Sequence, residues 1–236
     1  MRKVVAAAVA VAVVATGCGR DAEQPTPVPT TVATSTTVAT APSVALPPAT
    51  STTATMTTAG RRPPTETVTV RYRVERRTTD DATADFIGVV DATLADARGW
   101  SRARFRFVRD DNAPYLIVLA EGDEVDRLCL PYDTYGKYSC QNGPVVALNA
   151  DRWRSADPKW TGDLPTYRQM LVNHEVGHLL GQKHPRPQCP RTGQPAPVMN
   201  QQSTELNGCL PNPWPLEAEI DLAARHDRPL APPPER

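Results

Sequence analysis

Three of the four histidines in this 236-residue chain lie in the segment 174–184, which reads H-E-V-G-H-L-L-G-Q-K-H. In a helix, His174 and His178 stand one turn apart, so both imidazoles can reach one metal ion. Glu175 follows the first of them and can reach a water molecule at that ion as a general base. The pattern predicts a metal site, although the shorter H-E-x-x-H alone would also suit a surface helix with two solvated histidines.

Gly181 separates the helical part of this segment from its third histidine. A helix that continued through Gly181 would carry His184 away from the metal, because 174 and 184 are nearly three turns apart. A glycine in the left-handed conformation can end the helix and turn the chain back. His184 then becomes a third ligand. Three histidines with an open fourth position are typical of a catalytic Zn²⁺ site, at which zinc activates water and polarises a carbonyl.

Gly177 lies inside the predicted helix, where glycine costs about 1 kcal/mol relative to alanine. We therefore expect close packing at this position, near the metal site. Tyr167 and Leu171 share one helical stripe with His174 and His178.

The residues around the motif predict the elements that must hold it in place. A helix that begins near Asp80 is expected to end at Gly99, a suitable C-cap residue. Residues 121–143 show no clear pattern, and 153–160 suggest an irregular loop or a short helix. By hydrophobic periodicity, strands are predicted at 68–74, 103–107, 115–120 and 145–149, the motif helix after Pro165, and a short helix at 216–224.

The segment 174–184 resembles the extended zinc signature of the metzincin metallopeptidases. In that family the three histidines bind zinc and the glutamate is the general base. The resemblance implies these roles for His174, His178, His184 and Glu175. The chain is most similar to a group of bacterial exported metzincin-like lipoproteins, and the resemblance spans about residues 67–222.

Residues 196–201, A-P-V-M-N-Q, resemble the Met-turn that places a methionine below the zinc in this family. Met199 would be that residue, with an ordinary core methionine as the alternative. Gln201 occupies the place where some members carry an additional tyrosine ligand, so no such ligand is expected.

The resemblance also implies the fold. We expect an α+β fold of the zincin type, with a twisted, mixed, mainly parallel sheet, a backing helix, an active-site helix and an irregular C-terminal subdomain containing the Met-turn. In the family an edge strand pairs with extended substrate. The corresponding edge is expected within residues 138–149.

The N-terminus predicts export. A short basic start precedes an apolar run at residues 4–15, which is too short to cross a bilayer and fits a secretory signal. The following Ala15-Thr16-Gly17-Cys18 resembles a lipobox, which predicts residues 1–18 as a lipoprotein signal and Cys18 as the lipidated residue. Ala15 replaces the usual large aliphatic residue, and an ordinary cleaved signal with a secreted product is the alternative.

Composition divides the remainder of the chain. Residues 24–60 contain no charged side chain and are rich in Thr, Pro and Ala, so 19–63 is predicted to be a disordered stalk, either O-glycosylated or a plain linker. Residues 64–228 form the predicted metallopeptidase domain, and 229–236 a disordered tail. His226 is expected to be a surface or capping residue rather than a ligand.

Four cysteines in the predicted domain suit disulfides in an exported protein and allow three pairings. Short loop closure favours Cys129–Cys140 and Cys189–Cys209. A thiolate of Cys189 that blocks the open zinc position is the alternative.

These features predict a membrane-anchored zinc endopeptidase that acts on peptide or protein substrates in the cell envelope. We expect it to be a monomer. A zero formal charge gives no indication of a nucleic-acid partner. Two alternatives remain: a non-catalytic zinc-containing envelope binding protein that keeps the fold, and an enzyme that cleaves its own stalk or that of a neighbour.

Overall fold

The structure, a computed structural model, describes residues 67–225. The predictions for the signal sequence, Cys18, the stalk, His226 and the tail lie outside the described residues. No helix in the described part of the chain is long and apolar enough to cross a membrane.

Ten helices and strands, with two short 3-10 turns, make up the secondary structure of these residues. In chain order they are β1 Val68–Arg76, a 3-10 turn Asp81–Thr83, α1 Phe86–Ala95, a 3-10 turn Trp100–Ala103, β2 Phe105–Arg109, β3 Tyr115–Ala120, α2 Gly122–Cys129, β4 Cys140–Asn142, β5 Val145–Asn149, α3 Ala150–Ser155, α4 Leu164–Leu179 and α5 Glu217–Ala223.

The five strands form one sheet in the order β2-β1-β3-β5-β4. The first four strands are parallel, and β4 pairs antiparallel with β5, with Cys140 opposite Ala147. This confirms the prediction of a mixed, mainly parallel sheet in an α+β fold. The edge strand β4 lies within the predicted range 138–149.

The core lies on both faces of the sheet, which explains why β3 is buried along its whole length. Ile117 and Leu119 belong to a large apolar cluster that also contains residues of α1 and α4. Leu116 and Val118 point to the other face and pack with Val125 of α2. A strand covered on both faces needs a continuous apolar run rather than an alternating one.

Two sequence predictions about local structure were wrong. Helix α1 ends at Ala95, because Asp96 takes an extended conformation and its carboxylate accepts a hydrogen bond from the Arg98 N–H. Gly99 has a negative φ of −85° and instead precedes the next 3-10 turn. That turn includes Ala103, so strand β2 begins only at Phe105.

Helix α2 was not predicted within residues 121–143. Only Val125 and Cys129, one turn apart, are buried in it, and the other positions are mainly polar. Two apolar positions in eight residues are too few to define a helical period.

Candidate metal site

Helix α4 carries the first two histidines and is anchored at both ends. At its start, the Asp163 side chain accepts a hydrogen bond from the Thr166 N–H at 2.8 Å, and Pro165 lies in the first turn. In the stripe that carries the histidines, Tyr167, Leu171 and His174 are buried and His178 is partly buried. The helix is therefore a rigid support for the motif.

The helix ends where the sequence predicted. Gly181 has a φ of +82°, and the Gln182 N–H donates back to the carbonyl of Gly177 at 2.9 Å. This left-handed residue reverses the chain, which confirms the role predicted for Gly181. His184 consequently lies against the two histidines of the helix.

The three imidazoles converge through their Nε2 atoms. Nε2 of His184 lies 3.2 Å from Nε2 of His174 and 3.1 Å from Nε2 of His178. One ligand atom from each ring lies within 4.8 Å of the others, close enough to hold a single metal ion.

Backbone carbonyls determine which nitrogen faces the centre. Nδ1 of His174 lies 2.8 Å from the Val198 oxygen, and Nδ1 of His178 lies 2.9 Å from the Gln182 oxygen. Because a carbonyl only accepts, each Nδ1 carries the hydrogen and each Nε2 presents a lone pair. His184 could donate a hydrogen to only one of these lone pairs, whereas a cation would satisfy all three nitrogens.

The electrostatic environment keeps these rings neutral, which is the ligating form. Burial, with a smaller effect from neighbouring histidines, lowers the pKa of His174 to about 3 and that of His184 to about 4. Burial also lowers the pKa of His178.

Glu175 lines the same cavity as the histidines. Burial raises the pKa of its carboxyl to about 8, and no charge or hydrogen bond among the described residues offsets this effect. A cation nearby would act in the opposite direction and favour the carboxylate. The side chain is thus a base whose proton affinity depends on what occupies the site.

Met199 packs beneath the helix, against Gly177. It is 2% exposed and lies within a turn in which the Asn200 N–H donates to the Pro197 carbonyl at 2.9 Å. A Cβ atom at position 177 would collide with the Met199 sulfur and would lie 2.8 Å from Cζ2 of Trp100. This confirms the close packing predicted at Gly177.

Two residues near the site were missed by sequence reasoning. The Trp100 indole N–H donates to the Asn173 carbonyl at 2.9 Å, beside the first histidine. The buried carboxylate of Glu219 accepts hydrogen bonds from the N–H groups of Val198 and Met199. The only sequence signal for Glu219 is its place at the third position of a helix, where glutamate commonly caps.

An open cavity of about 540 Å³ contains the site. The edge strand contributes Cys140 and Gln141 to its wall, and two exposed tyrosines lie beside them. The cation in the lining, Arg152, is paired with Asp157. The loop after Met199 contributes Gln201, Gln202, Ser203 and Thr204 to the lining.

Comparison with known protein families assigns the chain. A family model described as "Protein of unknown function (DUF3152)" matches residues 47–216. The chain belongs to the DUF3152 family. The matched segment contains all three converging histidines, Glu175 and Met199, and ends at the residue before α5. No curated protein matches the chain.

Two disulfides brace the cavity of this DUF3152 protein, and both pairings are those predicted. Cys129–Cys140 joins the end of α2 to the edge strand. Cys189–Cys209 closes a loop that contains Met199. Because Cys189 is bonded to Cys209, the alternative of a metal-blocking Cys189 thiolate is wrong for this structure.

Proposed function

We propose that this DUF3152 protein is a zinc-dependent peptidase of the metzincin type. The observation that carries the proposal is the convergence of three Nε2 atoms in an open cavity, with Glu175 on the same helix. A binding protein that used zinc only for structure would not need the base beside the three histidines.

The donor set fits zinc. Nitrogens held about 2.0–2.1 Å from one ion at tetrahedral angles are about 3.3 Å apart. Nε2 of His184 lies at close to this distance from Nε2 of His174, 3.2 Å, and from Nε2 of His178, 3.1 Å. Three neutral imidazoles are typical ligands of catalytic zinc. Bound zinc would polarise the substrate carbonyl and lower the pKa of water.

Glu175 supplies the acid–base chemistry in this proposal. Its carboxylate accepts the proton of the attacking water and then delivers it to the leaving amine of the cleaved peptide bond. A residue that performs both transfers needs a pKa near the working pH. Burial raises the pKa of Glu175 towards such a value.

The cavity walls support a polypeptide substrate. Strand β4 is an edge of the sheet, so its outer backbone groups can pair with an extended chain. The lining side chains at 201–204 are polar and uncharged, so they place no charge requirement on the substrate.

The N-terminal sequence supports a location outside the cytoplasm, with a lipid on Cys18 as the membrane anchor. The two disulfides agree with this proposal, since such bonds persist in oxidising compartments. The substrates would then be peptides or proteins of the cell envelope.

The proposal is tested by zinc content and by Glu175→Gln. The purified full chain should hold about one zinc ion. Glu175→Gln should retain the zinc and lose at least about 100-fold of its activity on an unstructured protein. Glu205→Gln, the same change at an exposed residue outside the cavity lining, should leave both unchanged. Metal-free wild-type protein, or full activity in Glu175→Gln, would refute the proposal.

Mapping of new protein N-termini on cells that carry wild-type or Glu175→Gln protein would identify substrates. A cut within residues 19–63 would indicate processing of the stalk. Saturable partner binding that survives Glu175→Gln, with no cleavage products from the wild type, would instead favour the non-catalytic envelope binding protein.

A further inference from the structure

Glu219 is a buried acid that lies outside the family match and contacts the turn next to His174. Its side chain is 9% exposed and accepts hydrogen bonds from the N–H groups of Val198 at 3.0 Å, Met199 at 2.8 Å and Leu216 at 2.8 Å. The bond from Leu216 caps α5 and would occur in many helices. The other two bonds attach the turn that carries Met199 to α5.

One peptide group connects this carboxylate to His174. The N–H of the Val198–Met199 peptide donates to Oε1 of Glu219 at 2.8 Å. The C=O of the same peptide accepts from Nδ1 of His174, also at 2.8 Å. Because the peptide group is conjugated, the two hydrogen bonds polarise each other.

We propose that Glu219 strengthens metal binding by His174 through this peptide group. The negative charge attracts the Met199 N–H and increases the electron density on the Val198 oxygen. That oxygen then holds the Nδ1–H of His174 more firmly, which orients the ring and makes its Nε2 a better metal ligand. In zinc enzymes a carboxylate often contacts the ligand histidine directly; here a peptide group lies between them.

Glu219 is therefore a positioning residue, which touches neither substrate nor metal. Its three partners are all N–H donors, and this suits an ionised carboxylate, which only accepts. The inference rests on the proposed function in one respect: the three histidines must bind metal.

His178 provides a comparison within the same protein. Its Nδ1 also donates to a carbonyl, that of Gln182, at 2.9 Å. The N–H of that peptide belongs to Lys183, and within residues 67–225 no carboxylate accepts a hydrogen bond from it. The two helix histidines thus differ in whether a carboxylate polarises their acceptor.

The first test measures the zinc affinity of the folded full chain by competition with a chromophoric chelator. Glu219→Gln should weaken zinc binding by about 10–100-fold. Glu217→Gln is the matched control, since it makes the same change at an exposed position of the same helix, paired only with Arg102. Val90→Ala removes buried volume from α1 and controls for lost stability.

Both controls should keep the wild-type affinity within about twofold, well below the change expected for a partner of a metal ligand. A Glu219→Gln protein with wild-type affinity would overturn the inference. So would a Val90→Ala protein with an equal loss of affinity, because that result would make the effect one of general stability.

The second test uses the wild type and does not depend on a variant that folds. In the zinc-loaded protein, the Nδ1 proton of His174 should resonate further downfield in the NMR spectrum than that of His178. Equal chemical shifts would overturn the inference.

The two proposals fail in different ways. If the wild-type protein binds zinc but cleaves no peptide, the proposed peptidase activity is refuted and the proposed role of Glu219 stands. If the wild-type protein cleaves peptides and the Glu219→Gln variant binds zinc as tightly as the wild type, the role of Glu219 is refuted and the peptidase activity stands. Wild-type protein that binds no metal would overturn both.

Discussion

Replacing Gly177 with alanine should damage this protein, although alanine is the better helix former. The added methyl group would collide with the Met199 sulfur and approach Cζ2 of Trp100 to 2.8 Å. The Met199 side chain is flexible and can move. The Trp100 ring is held by its 2.9 Å hydrogen bond to the Asn173 carbonyl and has less freedom to do so.

The magnitude follows from two opposing contributions. Overpacking of a well-packed core costs about 1–3 kcal/mol, and the fixed position of Trp100 favours the upper part of this range. The gain in helix propensity from glycine to alanine returns about 1 kcal/mol. The net loss of about 2 kcal/mol corresponds to a Tm lower by about 4–8 °C for a domain of this size.

Gly88 provides the control for this measurement. It lies in α1, is exposed, and has no atom within 4 Å of the position where a Cβ would lie. Gly88→Ala should therefore raise stability by up to about 1 kcal/mol. Thermal unfolding of both variants, with metal removed so that zinc does not contribute, gives the comparison. A Gly177→Ala protein as stable as Gly88→Ala would refute the packing of Met199 against α4.

Two further predictions concern the second disulfide and a buried tyrosine of helix α4. Replacing Cys189 and Cys209 together by serine should lower the free energy of unfolding by about 3 kcal/mol, because the bond spans 20 residues; an unchanged urea midpoint would contradict this. Burial raises the pKa of Tyr167 to about 12, so the folded state holds this proton more tightly than the unfolded chain, whose tyrosine pKa is about 10. The contribution of Tyr167 to the free energy of unfolding is fully present below about pH 10 and is lost as the pH rises towards 12. Tyr167→Phe should therefore reduce the dependence of the free energy of unfolding on pH between about 10 and 12. Tyr132→Phe, at an exposed position, should leave this dependence unchanged.

The convergence of the three histidines could be predicted from sequence because its geometry is local. One helical turn separates His174 from His178, and a left-handed Gly181 returns His184 to them. Both relations depend only on spacing and on the conformational freedom of glycine. The close packing at Gly177 could also be predicted, but the identity of its neighbours could not.

The supports of the site come from distant parts of the chain and were not predictable. Trp100 and Asn173 are 73 residues apart, and Glu219 and Met199 are 20 apart. In both contacts a side chain binds a backbone group, which every residue type has. The sequence at Asn173 and Met199 therefore gives no sign of the contact. Helix α2 was missed for a different reason, since too few of its residues are buried to show a period.

The position of β1 within the sheet constrains the order in which the chain can fold. This strand is synthesised first among the five, yet it lies between β2 and β3, both of which come later in the chain. The backbone groups of β1 can therefore be paired on both sides, and Val70 and Tyr72 buried, only after two separate later segments of the chain have been synthesised. Parallel pairing of this kind depends on non-local contacts and forms slowly. Nascent chains that end before Tyr115 would leave β1 with one unpaired edge, and we expect them to need protection from aggregation.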